Sequence, residues 1–329
     1  RHIRGRQVAV VSNDVVAPLY ADQVRDALAS AGFDTSLSVI PDGEDHKTLS
    51  TVHRLYEEFL AADLDRSSTI VALGGGVTGD IAGFAAATYM RGVRFAQIPT
   101  SLLAMTDASV GGKSGVDLPQ GKNLVGAFKQ PALVLIDLAV LQTLPAAEFR
   151  SGMAEVIKHA VIGDPSLLKA LRAIAASEDA KITPDILARS IRVKIDVVED
   201  DPFEKGRRAI LNLGHTAGHA LEKLTHYDLR HGEAVAIGMV VAARVAAALD
   251  RAAAELVEEV EDILEAAGLP IRSPALPVDD ILRAMRHDKK RKGRTLRWIL
   301  PRAVGEMEIT NDVPLEVVEA VLVRMGARR

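Results

Sequence analysis

The sequence predicts an α/β front half with a parallel, Rossmann-like sheet, followed by an all-α back half. Three observations carry this expectation. Short apolar segments of strand length alternate with segments of helical period from Gln7 to Asp137, the texture turns almost wholly helical after Pro145, and a glycine run, Gly74-Gly75-Gly76, stands where a strand hands over to a helix. At 329 residues the chain exceeds what one core ordinarily fills, so two domains are expected, spanning 1–145 and 146–329.

In chain order, Gln7–Ser12 is a short apolar strand, and Leu19–Ala31 carries helix-period apolar residues and stops at Gly32. Thr35–Ile40 reads as a second strand and Leu49–Ala62 as a second helix. Thr69–Leu73 is a strand of the fully buried kind that runs straight into the glycines. Asp80–Ala87 follows as a helix, then Arg94–Ile98 and Leu133–Asp137 as strands. The back half reads as helices over Ala147–Ile162, Pro165–Ala176, Pro184–Glu199, Thr216–Thr225, Glu233–Ala248 and Ala252–Ala267. Only Thr295–Leu300 and Gly305–Ile309 look extended there, and they can pair as a small hairpin.

Bulk composition excludes several classes. A net charge of -4 supplies no global field for nucleic acid or anionic lipid. Cysteine is absent, which removes disulfides and thiolate metal sites and leaves histidines and carboxylates as the only metal donors. No apolar run reaches the ~18–20 residues of a membrane span, and Arg-His-Ile-Arg-Gly-Arg leads into the first strand with no signal-peptide core. A soluble cytoplasmic enzyme acting on a small molecule is the expectation.

The run Gly74-Gly-Gly-Val-Thr-Gly79-Asp80 satisfies G-x-G-x-x-G between a strand and a helix, where glycines admit a pyrophosphate to the backbone and the helix N-terminus supplies N–H groups. Alone the motif is weak, since a tight strand-to-helix turn produces it without a ligand. It also follows a later strand than usual, with no acidic residue ~20 positions on, so Asp14 or Glu44 would have to hold the ribose. Downstream, Asp107-Ala-Ser-Val-Gly-Gly-Lys113-Ser resembles a phosphate-binding P-loop but has Asp107 where glycine is required, which excludes that reading. Asp107, Lys113, Lys122 and Asn123 remain as polar groups of the kind that line a crevice at strand ends.

Five of the nine histidines, His159, His215, His219, His226 and His231, fall in one stretch. A lone buried histidine is ordinarily a satisfied core residue; this cluster, with Glu155 and Lys158 on one upstream helix face, points to a divalent metal site handling an oxygen-rich anion. His215 and His219 stand four apart like the histidines of H-E-x-x-H, but Thr216 replaces the required Glu. Glu155, His215 and His231 as ligands give one oxygen, two nitrogens and open positions, the pattern of a catalytic site, and leave His219 for hydrogen bonding or proton transfer. Lys158, Lys194, Arg208 and Asn212 around such an ion imply a substrate with several negative charges and hydroxyls. The basic stretch His287-Asp-Lys289-Lys290-Arg-Lys-Gly-Arg294 reads as a solvated turn before the hairpin, from which Lys289 or Lys290 can reach a phosphate.

Taken together, Gly74–Asp80, Arg91-Gly-Val, Gln97-Ile-Pro-Thr-Ser-Leu-Leu-Ala, Asp107–Lys113, Gly121–Phe128, Glu155-Val-Ile-Lys158, Asn212–His219, His231-Gly-Glu and Asp288-Lys-Lys resemble the 3-dehydroquinate synthase family, over about Asp14 to Gly305. The resemblance implies a dehydroquinate synthase-like fold with NAD held by Asp14, Glu44, Lys47, Gly74, Gly75, Gly76, Asp80, Thr100, Ser101, Asp107, Lys113, Lys122, Thr143 and Glu148. It implies one Zn2+ or Co2+ on Glu155, His215 and His231. The substrate it implies is the seven-carbon sugar phosphate DAHP, contacted by Asp107, Lys113, Asn123, Lys158, Lys194, Glu204, Arg208, Asn212, His219 and Lys289 or Lys290. It further implies a homodimer in which Arg91 reaches the neighbouring subunit's phosphate. Two departures are mild: Pro202 where an acidic residue is common, and Ser114 in place of Thr. The alternatives are another sugar phosphate cyclase or a metal-dependent polyol dehydrogenase on the same scaffold, or a NAD-binding regulatory protein with a degenerate site.

Overall fold

The computed structural model describes residues 2–3, 5–175, 181–290 and 296–329, without the side chains of 175 and 287–290. The chain forms two compact units, Arg1–Pro145 and Ala146–Arg329.

The first unit contains β1 (Gln7–Asn13), α1 (Ala17–Ser30), β2 (Asp34–Ile40), α2 (Leu49–Ala61), β3 (Thr69–Gly74), α3 (Gly76–Thr88) and β4 (Arg94–Pro99). After a π-helical turn at Ala104–Ala108 come β5 (Lys113–Leu118), β6 (Gly121–Phe128) and β7 (Leu133–Val134). A five-stranded parallel sheet has the order β2-β1-β3-β4-β7. Its central strands are apolar at nearly every position because both faces are covered. Ala9, Val11, Ile70 and Ala72 pack with Val52, Leu55 and Phe59 of α2 and Ile81 and Ala85 of α3. The alternate residues Val8, Val10, Val71 and Leu73 pack with Ala21, Val24 and Leu28 of α1.

This strand order explains the unusual position of the glycine run. The chain winds one way from β1 to β2 and the other way from β3 onward, so the crevice of the doubly wound sheet opens between the carboxyl ends of β1 and β3. Asp14 follows β1 and Gly75 follows β3, so a late glycine loop in sequence is adjacent to the first strand in space.

Three features differ from the expectation. Helix α3 begins at Gly76, inside the glycine run, rather than at Asp80. The stretch Leu133–Asp137 pairs only over Leu133–Val134. Residues 113–128, to which the sequence assigns no strand, form the antiparallel hairpin β5-β6, with Lys113 opposite Phe128.

The second unit comprises α4 (Ala146–Gly163), α5 (Pro165–Ala175), α6 (Pro184–Asp200), α7 (His215–Leu224), α8 (His231–Ala248), α9 (Ala254–Ala266), α10 (Val278–Lys290), the antiparallel pair β8 (Trp298–Ala303) and β9 (Glu306–Thr310), and α11 (Leu315–Arg324). Among the described residues its regular structure is helical apart from the hairpin. Helix α8 is the centre of the core, buried from Ala234 to Ala243 without a break. In length and apolar character it could cross a membrane, which the sequence reading did not anticipate, yet 72% of it is buried inside the protein, as a core helix requires. The basic stretch does not open a turn at His287, because the backbone of α10 continues to Lys290. The side chains of Lys289 and Lys290, and Arg291 to Thr295, lie outside the described residues. Helices α10 and α11 had no counterpart in the sequence reading.

Two close approaches fix α4, α7 and α8 against one another. The Gly232 N–H donates to Ser151 Oγ at 3.0 Å, and a Cβ on Gly232 would collide with the Ser151 carbonyl group. A Cβ on Gly238 would likewise strike the backbone of Gly214, which precedes α7 with φ of 82°. Small residues here bring the starts of two helices and the middle of a third within backbone contact.

Candidate active site

In the first unit, Lys47 is the hub. Its side chain is nearly inaccessible, and Nζ donates to Asp80 Oδ2 at 2.6 Å and lies 3.8 Å from Glu44 Oε1. Lys122 Nζ reaches the same Glu44 oxygen at 3.5 Å. Four residues assigned to the cofactor from sequence, Glu44, Lys47, Asp80 and Lys122, thus form one ion-pair network beside α3. Burial lowers the Lys47 pKa, but the carboxylates of Asp80 and Glu44 outweigh it and the net shift is upward. Burial raises the Asp80 carboxyl to about 6 against the pull of Lys47, with Glu44 and Asp107 adding like-charge repulsion.

The glycine run lies alongside. The Thr100 N–H donates to Gly74 O at 3.0 Å, and Ser101 Oγ accepts from Ala104 N at 3.2 Å. Among the described residues no side chain caps α3 at Gly75, which leaves the first N–H groups of the helix without a side-chain cap. Asp14 Oδ1 accepts from Asp42 N at 2.9 Å, and Thr143 Oγ1 shares a 2.5 Å hydrogen bond with Tyr20 Oη. Asp107 lies in the π-helical turn, a rare conformation that recurs at functional sites. Lys113 opens β5, and Asn123 on β6 donates its N–H to Asp117 Oδ1 at 2.6 Å.

Three assigned site residues carry strained backbone. Arg91, Asn123 and Glu204 have φ of 69°, 54° and 55°, left-handed values that non-glycine residues seldom adopt.

In the second unit, one donor atom each of Glu155, His215 and His231 lies within 4.8 Å of the other two. His231 Nε2 and Glu155 Oε1 are 3.6 Å apart, a separation that an ion about 2 Å from each would span. His215 Nδ1 lies 3.1 Å from Leu213 O, so with Nδ1 as donor Nε2 is left with its lone pair. Burial, then the Lys158 ammonium and His219, push His215 well below the ordinary histidine range, which keeps it neutral and ligand-competent. His231 behaves oppositely: burial disfavours its charge, but hydrogen bonds to Glu155 and Glu222 raise it to about 10. The donor set, one carboxylate and two imidazoles, fits Zn2+ or Co2+.

Around these donors, Lys158 pairs directly with Glu155, and both are buried on α4. The His215 ring centroid lies 5.0 Å from that of His219 and 5.2 Å from that of His231. Lys194 on α6 and Arg208 are also buried. Arg208 donates to Pro202 O at 2.6 Å, and Asn212 Nδ2 donates to Glu204 Oε1 at 2.8 Å. Pro202, a departure from the family pattern, therefore supplies a carbonyl acceptor. Glu148 falls in this unit, at the start of α4, where Arg230 Nε donates to it at 2.9 Å.

Sequence reasoning missed Glu222 and Arg230. Glu222 Oε1 lies 3.3 Å from His231 Nδ1, and Arg230 precedes that histidine. The signal for Glu222 was present, since His215, His219 and Glu222 follow the i, i+4, i+7 spacing of one helix face.

Residues 37–151 match the 3-dehydroquinate synthase N-terminal model and residues 152–291 the 3-dehydroquinate synthase C-terminal model. The chain belongs to the 3-dehydroquinate synthase family. A 3-dehydroquinate synthase from Synechocystis sp. is 48% identical over 325 residues, covering 97% of this chain and 90% of its own length. One from Synechococcus sp. is 49% identical, covering 97% and 88%. Among solved structures, a 2-epi-5-epi-valiolone synthase from Streptomyces hygroscopicus with NAD+ and Zn2+ bound superposes with a TM-score of 0.89 at 29% identity, covering 97% of this chain and 90% of its own. A 2-deoxy-scyllo-inosose synthase complexed with carbaglucose-6-phosphate, NAD+ and Co2+ gives 0.86 at 28%, covering 97% and 91%.

Proposed function

We propose that this enzyme converts DAHP to 3-dehydroquinate and inorganic phosphate, with NAD and one divalent metal ion as cofactors. The observation that carries the reading is the convergence of Glu155, His215 and His231 on one point, with the buried ammonium of Lys158 beside them. Two readings of the same scaffold are weighed against it. The cyclases of other sugar phosphates are 28–29% identical, whereas 3-dehydroquinate synthases reach 48–49% over nearly the whole chain. A polyol dehydrogenase would not call for so many buried cations.

On this reading NAD is held by Asp14, Glu44, Lys47, Gly74, Gly75, Gly76, Asp80, Thr100, Ser101, Asp107, Lys113, Lys122, Thr143 and Glu148. Glu155, His215 and His231 hold the metal. When bound, the ion polarises the substrate hydroxyls and NAD takes and returns one hydride. The chain's own groups position and discharge the substrate. Lys158, Lys194 and Arg208 neutralise its carboxylate and phosphate, with Asp107, Lys113, Asn123 and Lys289 or Lys290 completing the contacts. Asn212, oriented by Glu204, donates to a substrate oxygen, and the His219 ring nitrogen exchanges a proton with a substrate hydroxyl. NAD would supply the oxidation that acidifies the C–H beside the new ketone and the reduction that restores the hydroxyl, while the chain's groups hold the substrate for loss of that proton to its own phosphate, departure of the phosphate, ring opening and aldol closure.

The proposal includes a cytoplasmic homodimer. Arg91 reaches the partner's substrate phosphate, and the half-exposed Leu124 and Phe128 on β6 offer apolar surface for burial between subunits. The test of function is phosphate release from DAHP by the purified chain supplied with NAD and Zn2+ or Co2+. Release should depend on NAD and stop on chelation; absence of turnover under these conditions overturns the reading in favour of a NAD-binding regulator.

A further inference from the structure

The two imidazoles assigned to the metal are anchored differently. His215 Nδ1 faces a neutral main-chain oxygen, that of Leu213, at 3.1 Å. His231 Nδ1 instead faces the Glu222 carboxylate at 3.3 Å, while its Nε2 is turned to Glu155 at 3.6 Å. Glu222 is itself buried, at 8% exposure, three residues along α7 from His219. A buried carboxylate facing the outer nitrogen of a ligand imidazole fixes the tautomer and ring orientation and makes the inner nitrogen a better donor. The charged groups facing His231 are Glu155 from α4 and Glu222 from α7, with the His215 and His219 rings alongside.

We propose that Glu222 is a positioning residue for the metal centre, holding His231 through Nδ1 so that Nε2 is presented to the ion shared with Glu155 and His215. The inference rests on the metal assignment above and adds to it a residue outside the ligand set. Because Glu222 lies on the helix that begins with His215, it also ties α7 to the start of α8, so two ligand-bearing helix ends share one side-chain link.

The test is a chelator-competition titration of Zn2+ into the full chain, repeated with Co2+ to follow its ligand-field absorption. Wild type is compared with Glu222→Gln, Glu222→Leu and His231→Ala. Glu222→Leu should weaken metal binding about 10–100-fold. Glu222→Gln, whose amide oxygen still accepts from Nδ1–H, should fall between that and wild type, with a changed Co2+ spectrum. NAD affinity of Glu222→Gln should stay at the wild-type value and its metal-free melting should remain a single cooperative transition, which separates positioning from a folding defect. Affinity within twofold of wild type in both Glu222 variants overturns the proposal while leaving the metal assignment intact. A loss in Glu222→Gln as complete as in His231→Ala overturns it in favour of direct ligation. A wild type that binds no metal overturns the metal assignment and this inference with it.

Discussion

Replacing Gly232 by alanine places a methyl group 2.5 Å from the Ser151 carbonyl carbon and 2.7 Å from its Cα, and closer still to the carbonyl oxygen. Carbon atoms rest at about 3.5–4.0 Å, so α4 and α8 must part by about 1 Å at this point. The backbone of a helix offers no rotamer by which to yield. Overpacking of this kind costs about 1–3 kcal/mol, against about 1 kcal/mol regained from the better helix propensity of alanine. The site is affected more directly than the fold. Gly232 follows His231, and Ser151 precedes Glu155 by one helical turn, so the separation opens the 3.6 Å gap between His231 Nε2 and Glu155 Oε1. Metal sites tolerate only about 0.2 Å of ligand displacement, so Gly232→Ala should bind Zn2+ at least about tenfold more weakly. Chelator competition and melting curves with and without Zn2+ measure both effects, and NAD affinity should be unchanged. A variant with wild-type Zn2+ affinity and wild-type melting would refute the claim that this contact sets the ligand spacing.

Metal binding near neutral pH should release about one proton, measured by calorimetry in buffers of different ionisation enthalpy. His231 at about 10 in the metal-free chain must lose its proton, whereas His215, already neutral, contributes none. Because the folded value lies above the ordinary 6.5, the protonated ring stabilises the metal-free fold below that value, and this contribution is lost as pH rises through about 10. Apparent metal affinity should accordingly climb by up to about tenfold per pH unit below that point; a flat profile contradicts the assignment. Lys158→Met should lower kcat about 100-fold or more, since the buried ammonium acts on the reacting substrate as well as binding it, and an unchanged kcat removes Lys158 from the catalytic set. Lys47→Met leaves Asp80 without its 2.6 Å partner. It should cost about 3 kcal/mol of stability and weaken NAD binding, with melting and NAD titration as the measurements.

The parts of the fold legible in the sequence are those where one physical signal dominates. Strands β1 and β3 announced themselves as unbroken apolar runs because both their faces are covered, and α8 as a long apolar helix because it is buried all round. The hairpin β5-β6 was hidden because β6 is half exposed and contains Lys122, Asn123 and two glycines, which read as a loop. Helix α10 was hidden because the charges of Asp279, Asp280 and the following basic residues outweigh its few apolar positions. In the site, the cluster of Glu155, His215 and His231 was legible because histidine and carboxylate types are scarce in apolar helices. The left-handed conformations at Arg91, Asn123 and Glu204 were not, because only the surrounding fold can hold a non-glycine residue there. Glu222 was passed over because a glutamate on an amphipathic helix ordinarily belongs to the solvent face, and its burial is a property of the packing against α8.

The central claim is that NAD is reduced and reoxidised within one turnover rather than consumed. It is tested most directly by mixing the metal-loaded enzyme with DAHP and a limiting amount of NAD, following NADH absorbance and phosphate together. The account predicts that phosphate accumulates over many turnovers per NAD while NADH appears only transiently and returns to the baseline. NADH that builds up in step with substrate loss, without phosphate, would contradict it and make the protein a dehydrogenase.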